Sequence, residues 1–301
     1  MSKRDFLSLL DCSPEELRAL LDRGGELKRG LREGERHRPL IGRTAALMLL
    51  LSSTRTRVAF EAGMNQLGGQ AIFLGAADTQ LGRGEPIGDT AKVLSEMVDI
   101  AIVRTQNHAD VEAFAESASI PVINAMTNRF HPCQLLADMQ TFEELRDPVG
   151  GATVAFLGDG YNMCQSYINA ARQYGFQLRI ACPPGYEPDA ELLRAGNQAT
   201  LVEAPREAVE NADLVVTDVW SSIGHDAERE RRREIFAPYQ VNETLLDYAK
   251  EEVLFLHCLP AHRGEEVNDT VLDDPRSGAW TAAGNRLHSQ KALLEFLLLQ
   301  S

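Results

Sequence analysis

Eight short apolar runs, separated by helix-like stretches, constrain the fold of this chain more than any other feature of its sequence. Four occupy the first half: AALMLLL (45–51), AIFL (71–74), DIAIVR (99–104) and PVIN (121–124). Four more follow: ATVAFLG (152–158), QLRIAC (177–182), DLVVTD (213–218) and VLFLH (253–257). Unbroken runs of Val, Leu, Ile and Ala mark strands covered on both faces, the habit of parallel sheets joined through helices. The pattern predicts an α/β chain of two doubly wound parallel-sheet domains with a cleft between them. A length of 301 residues agrees, at about 100–200 residues per domain.

The Pro–Gly patch RDPVGGA (146–152) marks the expected crossing, which gives a first domain over 1–147 and a second over 148–283. The closing stretch NRLHSQKALLEFLLLQ has an apolar helical face, and a helix over 284–301 is expected to pack back on the first domain. Near the start, Ser13, Pro14 and Glu16 form a capping-box signature followed by Leu17, Leu20 and Leu21 on one face. The first element is therefore expected to be a helix.

Composition narrows the partners. Hydrophobic residues at 44% and charged residues at 25% suit an ordinary globular chain. A net charge of −14 argues against a general nucleic-acid binder, which needs surplus Lys and Arg along phosphate backbones. Any phosphate-bearing ligand must then meet a local cluster of cations. No apolar run approaches the roughly 20 residues of a membrane span, and the acidic start lacks the apolar core of a signal peptide. The five cysteines are scattered without a CxxC pair, which implies reduced thiols in a cytoplasm and no metal site.

In doubly wound folds, ligands sit beyond the carboxyl ends of the strands, so the residues after each apolar run carry the chemistry. After 45–51 comes Ser52-Ser53-Thr54-Arg55-Thr56-Arg57, then a helical pattern with Phe60, Met64 and Leu67 on one face. Hydroxyls and backbone N–H groups at a helix start beside arginine form an anion site; in isolation the same residues are an ordinary cap with solvated arginines. The other strands lead to Arg104, to His131-Pro132-Cys133-Gln134 and to His257-Cys258-Leu259-Pro260, each delivering a polar group. Gly158-Asp159-Gly160 lacks the third glycine and the downstream acid of a dinucleotide site, so no nicotinamide cofactor is expected.

STRTR, HPCQ, DVWSS and HCLPAHRGEEV, in this order, resemble the ornithine carbamoyltransferases. The resemblance runs from DTQLGRGEPIGDT (78–90) to Asn285-Arg286-Leu287; STRTR and HPxQ are shared with aspartate carbamoyltransferases, whereas HCLPAHRG and DVWxS belong to the ornithine branch. It implies transfer of a carbamoyl group from carbamoyl phosphate to the side-chain amine of L-ornithine, without a cofactor, by direct attack of the amine. By motif, Ser53, Thr54, Arg55 and Thr56 match the phosphate cradle, with Arg104 and Arg286 adding charge and Gln80 reaching in from a neighbouring subunit. His131 and Gln134 match the carbamoyl contacts, and Cys258 and Leu259 lie beside both ligands. Asn162, Asp218, Ser222 and Ile223 match the amino-acid site, with Asp218 pairing the ammonium. The subunit-crossing Gln80 implies a homotrimer or a multiple of one. Arg55, Arg104, His131 and Cys258 are the catalytic candidates.

Three departures from the resemblance concern the acceptor or the loop entry. Leu49-Leu50-Leu51 replaces a usual Phe-Glu-Lys, Tyr161 replaces the first of two asparagines after the GDG turn, and Ile223 replaces a methionine. Apolar swaps of similar size are often tolerated at under about 1.5 kcal/mol, but the loss of a charged pair points to an altered acceptor preference, toward an ornithine analogue or away from an inhibitor. Putrescine lacks the α-amino-acid end that Asp218 and Asn162 suit, and aspartate needs a cationic clamp that these loops do not supply. A non-catalytic carbamoyl phosphate-binding protein would be expected to lose Arg55, Arg104 or His131; all three are present.

Overall fold

The computed structural model describes residues 3–79, 84–221 and 228–299. Its contacts gather into two compact units, Met1–Gln140 with Gly284–Ser301, and Thr141–Ala283. The chain leaves the first unit inside helix α5 (Pro132–Leu145), ahead of the Pro–Gly patch, and returns inside helix α11 (Ala279–Leu299).

The first unit holds four parallel strands, β1 (Thr44–Leu49), β2 (Gln70–Gly75), β3 (Ile100–Arg104) and β4 (Val122–Met126), in the order β2-β1-β3-β4. The second holds five, β5 (Thr153–Leu157), β6 (Gln177–Ala181), β7 (Ala199–Leu201), β8 (Leu214–Thr217) and β9 (Leu254–His257), in the order β7-β6-β5-β8-β9, all parallel. The eight apolar runs are therefore strands, and the two doubly wound sheets are as expected. Strand β7 had no counterpart among the runs. In each sheet the order reverses at one place, between β1 and β3 and between β5 and β8. Connections leave in opposite directions there, which opens a crevice past the strand ends.

Burial explains why these segments form strands. Ala45 to Leu49, Ile100 to Val103, Val154 to Leu157 and Phe255 to Leu256 are all buried, so neither face has room for polar alternation. In the first unit, Met48, Val103, Phe114 and Val122 share a core cluster against which Leu50 and Leu7 pack. Leu49 ends β1 and is buried, whereas Leu50 and Leu51, in the place of the charged pair, follow the strand and are half-buried. In the second unit, Leu157, Val215, Phe255 and Val267 form the corresponding cluster.

Helix α1 (Pro14–Arg32) starts as its sequence signature requires: Ser13 Oγ accepts from Glu16 N at 3.2 Å, and the Glu16 carboxylate accepts from Ser13 N at 2.9 Å. It is not the first element, because a single 3-10 turn, Leu9–Asp11, precedes it and Phe6 pairs with Ile123 alongside β4. Helix α11 does lie on the first unit, yet not through a purely apolar face. Asn285, Arg286, Ser289, Gln290, Lys291 and Glu295 are buried along it, and Lys28 Nζ donates to Asn285 Oδ1 at 2.7 Å while Arg23 Nε donates to Glu295 Oε2 at 2.7 Å. Buried polar groups of this kind must be paired to be tolerated. Among the described residues no helix is long and apolar enough to cross a membrane.

Candidate functional site

The crevice of the first unit lies where β1 and β3 end, and two sequence-predicted groups are delivered there by geometry alone. Past the end of β1, Ser53 caps helix α2 (Thr54–Gln66), its hydroxyl accepting from Thr56 N at 3.3 Å. The first turn of α2 therefore presents backbone N–H groups with Arg55, half-buried, beside them, a ready anion cradle. Arg104 closes β3 as a buried residue, and its carbonyl accepts from Leu50 N at 2.9 Å, which ties the β1 exit to the β3 exit.

Arg286 of α11 joins the same cluster from far along the chain. Its Nη1 donates to Gln134 Oε1 at 2.7 Å and its Nη2 to Thr56 Oγ1 at 3.2 Å. The amide of Gln290, with its oxygen toward Arg286, accepts from Nη2 at 2.8 Å and from Nε at 2.9 Å. Gln134 in turn donates from Nε2 to Asp138 Oδ1 at 2.9 Å. Arg286 is thus a buried, anchored cation whose charge is felt in the cluster, and Gln134 Oε1 keeps a second lone pair for another donor.

His131 precedes α5 and is buried. Desolvation, reinforced by the positive charges of Arg286, Arg104 and Arg55, holds its pKa well below the ordinary 6.5, so the ring stays neutral. A neutral imidazole carries one N–H donor and no charge for a leaving phosphate to trap.

One residue that braces the segment leading to His131 went unread in the sequence. Asn124, fully buried in β4, donates from Nδ2 to Leu7 O at 2.9 Å and to Phe130 O at 3.4 Å, and accepts from Met126 N at 2.9 Å. Cys133 Sγ also donates to its carbonyl at 3.4 Å. Asn124 thereby braces the irregular end of β4, where the β3–β4 register shifts and Met126 takes φ 149°. Thr127 adds a second brace, its hydroxyl accepting from Arg129 N and Phe130 N, each at 3.3 Å. The only trace in the sequence was an Asn ending the PVIN run, which reads as a strand end.

The second unit's crevice lies where β5 and β8 end. Helix α6 (Asn162–Tyr174) begins after the GDG turn with buried Asn162 in its first position and Tyr161 as its cap. Asp218 follows β8. Its Oδ1 accepts from Val219 N at 2.7 Å and from Cys258 Sγ at 2.9 Å, so the thiol and the carboxylate meet. Burial raises the Asp218 pKa against the opposing influence of His257, Cys258 and the Val219 N–H.

The loop that carries Cys258 is held from behind. His257 Nδ1 accepts from Leu259 N at 2.8 Å, which leaves the ring proton on Nε2, facing Glu266 Oε1 at 3.2 Å. Glu266 Oε1 also accepts from His262 N at 2.6 Å. Leu259 takes φ 58°, a left-handed conformation costly for a branched residue and retained where its surroundings fix it. The Leu259–Pro260 peptide is cis. His262, Glu265 and Glu266 place ligand atoms within 4.8 Å of one another. Glu265 is ion-paired with Arg229 at 2.8 Å and Arg233 at 3.5 Å, so we read the group as a salt-bridge network.

Of the sequence-predicted residues, Ser53, Thr56, Arg55, Arg104, His131, Gln134 and Arg286 gather in the first unit, and Asn162, Asp218, Cys258 and Leu259 belong to the strand-end loops of the second. Thr54 is exposed at the start of α2. Gln80, Ser222 and Ile223 lie outside the described residues.

Family models cover both halves of the chain, the second of them running through α11 to residue 297. Residues 4–144 match the aspartate/ornithine carbamoyltransferase carbamoyl-P binding domain, and residues 150–297 match the Asp/Orn binding domain of the same family. The chain is 57% identical over 301 residues to the ornithine carbamoyltransferase of Chromohalobacter salexigens, covering 99% of each chain. It is 58% identical over 299 residues to the anabolic ornithine carbamoyltransferase of Pseudomonas aeruginosa, covering 99% of this chain and 98% of that one. The solved structure of the Pyrococcus furiosus ornithine carbamoyltransferase is 44% identical and superposes with a TM-score of 0.95, covering 100% of this chain and 98% of that chain. With both halves matched and the likeness spanning its length, this chain belongs to the ornithine carbamoyltransferases of the aspartate/ornithine carbamoyltransferase family.

Proposed function

We propose that the chain transfers the carbamoyl group of carbamoyl phosphate to the side-chain amine of L-ornithine, giving citrulline and phosphate. The observation that carries this reading is a neutral, buried His131 among Arg55, Arg104 and Arg286, the electrostatics required to receive a phosphate dianion and release it. The neutral amine attacks the carbonyl carbon directly, a C–N bond forms, and the C–O bond to phosphate breaks. Phosphate departs with the electron pair of that bond and takes up the proton that the amine loses.

In this reading the first turn of α2, with Ser53, Thr54, Arg55 and Thr56, binds phosphate oxygens, and Arg104 adds charge. Arg286 acts from behind through Thr56 and Gln134. The His131 N–H stabilises the oxyanion on the carbonyl as the tetrahedral species forms, and Gln134 Oε1 accepts from the carbamoyl NH2. Asp218 pairs with the α-ammonium of ornithine and Asn162 with its backbone end, while Cys258, bonded to Asp218, orients the incoming amine. Gln80, Ser222, Ile223 and Leu259 complete the assignment by motif.

The first-unit surface supports assembly with further copies: Val58, Ile72, Val93 and Met97 are exposed apolar side chains on α2, β2, helix α3 (Ile87–Ser95) and the turn after it. We read this as the contact of a homotrimer, with Gln80 contributed to a neighbouring site. All five cysteines are free thiols, which suits a reducing cytoplasm. The anabolic name of the Pseudomonas aeruginosa relative favours the biosynthetic direction, toward arginine.

The test is product formation with carbamoyl phosphate fixed and ornithine, N-acetylornithine, 2,4-diaminobutyrate, lysine and putrescine as acceptors. Preference for ornithine is expected. Poor turnover of ornithine beside good turnover of another acceptor would shift the substrate, and no turnover with any would leave a binding protein.

A further inference from the structure

Behind Asp218 lies a buried cation that the reaction itself does not use. Arg232, in helix α9 (Arg229–Phe236), is 3% exposed. Its Nη2 pairs with the Asp159 carboxylate in the GDG turn, and its Nε donates to the carbonyl of Trp220 in the DVWSS loop. The guanidinium carbon lies 4.7 Å from the Tyr186 ring centroid and 5.0 Å from that of Phe236. One side chain therefore ties together the two loops that carry Asn162 and Asp218.

The surrounding segments leave little slack. Gly160 N donates to Tyr186 O at 2.8 Å, and a Cβ at Gly160 would stand 2.3 Å from Pro188 N, so the GDG turn is clamped on the Tyr186 segment. Tyr186 packs edge-on against Phe236 at 4.8 Å, and Phe236 lies 6.0 Å from Trp220. Electrostatics add a reason for a cation here. Asp159 is pushed up to about 6 by burial, and the nearby charge of Asp218 works in the same direction. Two carboxylates close together cannot both hold a charge cheaply. A guanidinium on Asp159 neutralises one and leaves the other for a ligand cation.

We propose that Arg232 is a positioning residue for the acceptor: it holds the Asp159 turn and the Trp220 carbonyl in one register, so that Asn162 and Asp218 meet the amino-acid end of ornithine together. This rests on the function proposed above. Lysine cannot substitute, because a point ammonium lacks the planar fork that reaches a carboxylate and a carbonyl at once while lying against two rings. An arginine that merely stabilised the fold would affect both substrates alike. One that positions the acceptor loops affects ornithine alone, since the phosphate cradle belongs to the other unit.

The experiment compares steady-state kinetics of the full-length protein with those of Arg232→Lys and Asp159→Asn, varying ornithine and carbamoyl phosphate separately. Charge-assisted bonds of this kind correspond to about tenfold or more in binding. For Arg232→Lys the KM for ornithine is expected to rise about tenfold or more, with the KM for carbamoyl phosphate within about twofold and kcat reduced less than the KM is raised. Asp159→Asn, which keeps the Trp220 bond and the ring contacts, is expected to raise the ornithine KM by a smaller factor. Inorganic phosphate binding by each variant checks that the first unit is intact, and if Arg232→Lys does not fold, Asp159→Asn decides. An unchanged ornithine KM, or equal rises for both substrates, would overturn the role. Wild-type protein run alongside separates the two failures: no citrulline from it would count against the function itself and remove the ground for an acceptor-positioning arginine.

Discussion

In the first unit three arginines converge on one imidazole, whereas in the second a carboxylate that follows β8 meets a thiol that follows β9, on a loop held by a buried His–Glu pair. The first cluster gathers positive charge and prevents its histidine from adding more; burial first, and the cations around it second, hold His131 neutral. The second gathers negative charge and screens it, with Cys258 and Val219 N bonded to Asp218 and burial opposing its ionisation. One half is tuned for a dianionic donor and the other for a cationic acceptor. The contrast predicts that substitutions in one unit disturb one substrate and spare the other.

The largest effects are expected in the arginine cluster. On the proposed function, Arg55→Ala and Arg104→Ala each remove a cation that faces developing charge, a loss of roughly 10²–10³ in rate in comparable cases. Each should lower kcat/KM for carbamoyl phosphate by about that factor, and calorimetric titration with carbamoyl phosphate should show weakened binding. Arg55, half-buried on the first turn of α2, is the cleaner probe, because Arg104 is buried and its removal leaves a hole. A loss under about tenfold at both positions would place the phosphate elsewhere.

Asp218→Asn should come next, and on the other substrate. Replacing a charged acceptor with an amide of the same shape forfeits a charge-assisted bond worth about 1.5–3 kcal/mol, or roughly ten- to a hundredfold in the KM for ornithine, while the KM for carbamoyl phosphate should hold within about twofold. The raised pKa of Asp218 adds a pH signature: as pH falls, its charge is lost earlier than that of an ordinary carboxylate, so ornithine affinity should decline sooner in the wild type. A parallel rise in both KM values would erase the division between the halves.

How much of this was legible in the sequence follows from what kind of contact each feature depends on. The strands were, because burial on both faces writes itself as unbroken apolar runs, and the Ser13–Glu16 cap was, because its partners are three residues apart. Strand β7 was not: Ala199–Leu201 is a short edge strand with two of its three residues exposed, so nothing in ATL distinguishes it from a loop. The pairing of Arg286 with Thr56 spans 230 positions and follows only from the resemblance. Asn124 was missed because an amide at the end of an apolar run looks like a boundary, although it is the brace that shapes the approach to His131. Helix α11 misled in part, since its buried face is written in Asn, Arg, Gln, Lys and Glu whose partners are scattered along the chain.

A smaller effect distinguishes the two clusters by stability. His131 has a folded pKa depressed below the ordinary 6.5, so the unfolded chain takes up a proton that the folded chain refuses. The histidine therefore contributes stability that is present above pH 6.5 and is lost as pH falls below it, with a slope of up to about 1.4 kcal/mol per pH unit. Asp159, raised to about 6, acts in the opposite sense: its contribution is present at low pH and lost as pH rises toward about 6. Denaturant unfolding of wild type and His131→Asn at pH 7 and at pH 5.5 should show a steeper loss on acidification in the wild type. Equal losses would mean that His131 is protonated in the folded protein.

The smallest expected effect concerns a departure from the family pattern. Tyr161 is the cap of α6 and makes no side-chain cap bond; its carbonyl accepts from Gln165 N at 2.9 Å. An asparagine there can accept from the first-turn N–H groups, and such caps are worth about 0.5–2 kcal/mol over residues that cannot. Tyr161→Asn should therefore raise stability by a fraction of that range, reduced by the contacts the ring gives up, and change the ornithine KM by less than about threefold, because Asn162 and Asp218 stay where they are. A larger change in KM, or a new preference in the acceptor panel, would make the phenol part of the acceptor wall. Selectivity would then be set on the second unit by the residues beside the charge pair, with the donor chemistry of the first unit unchanged.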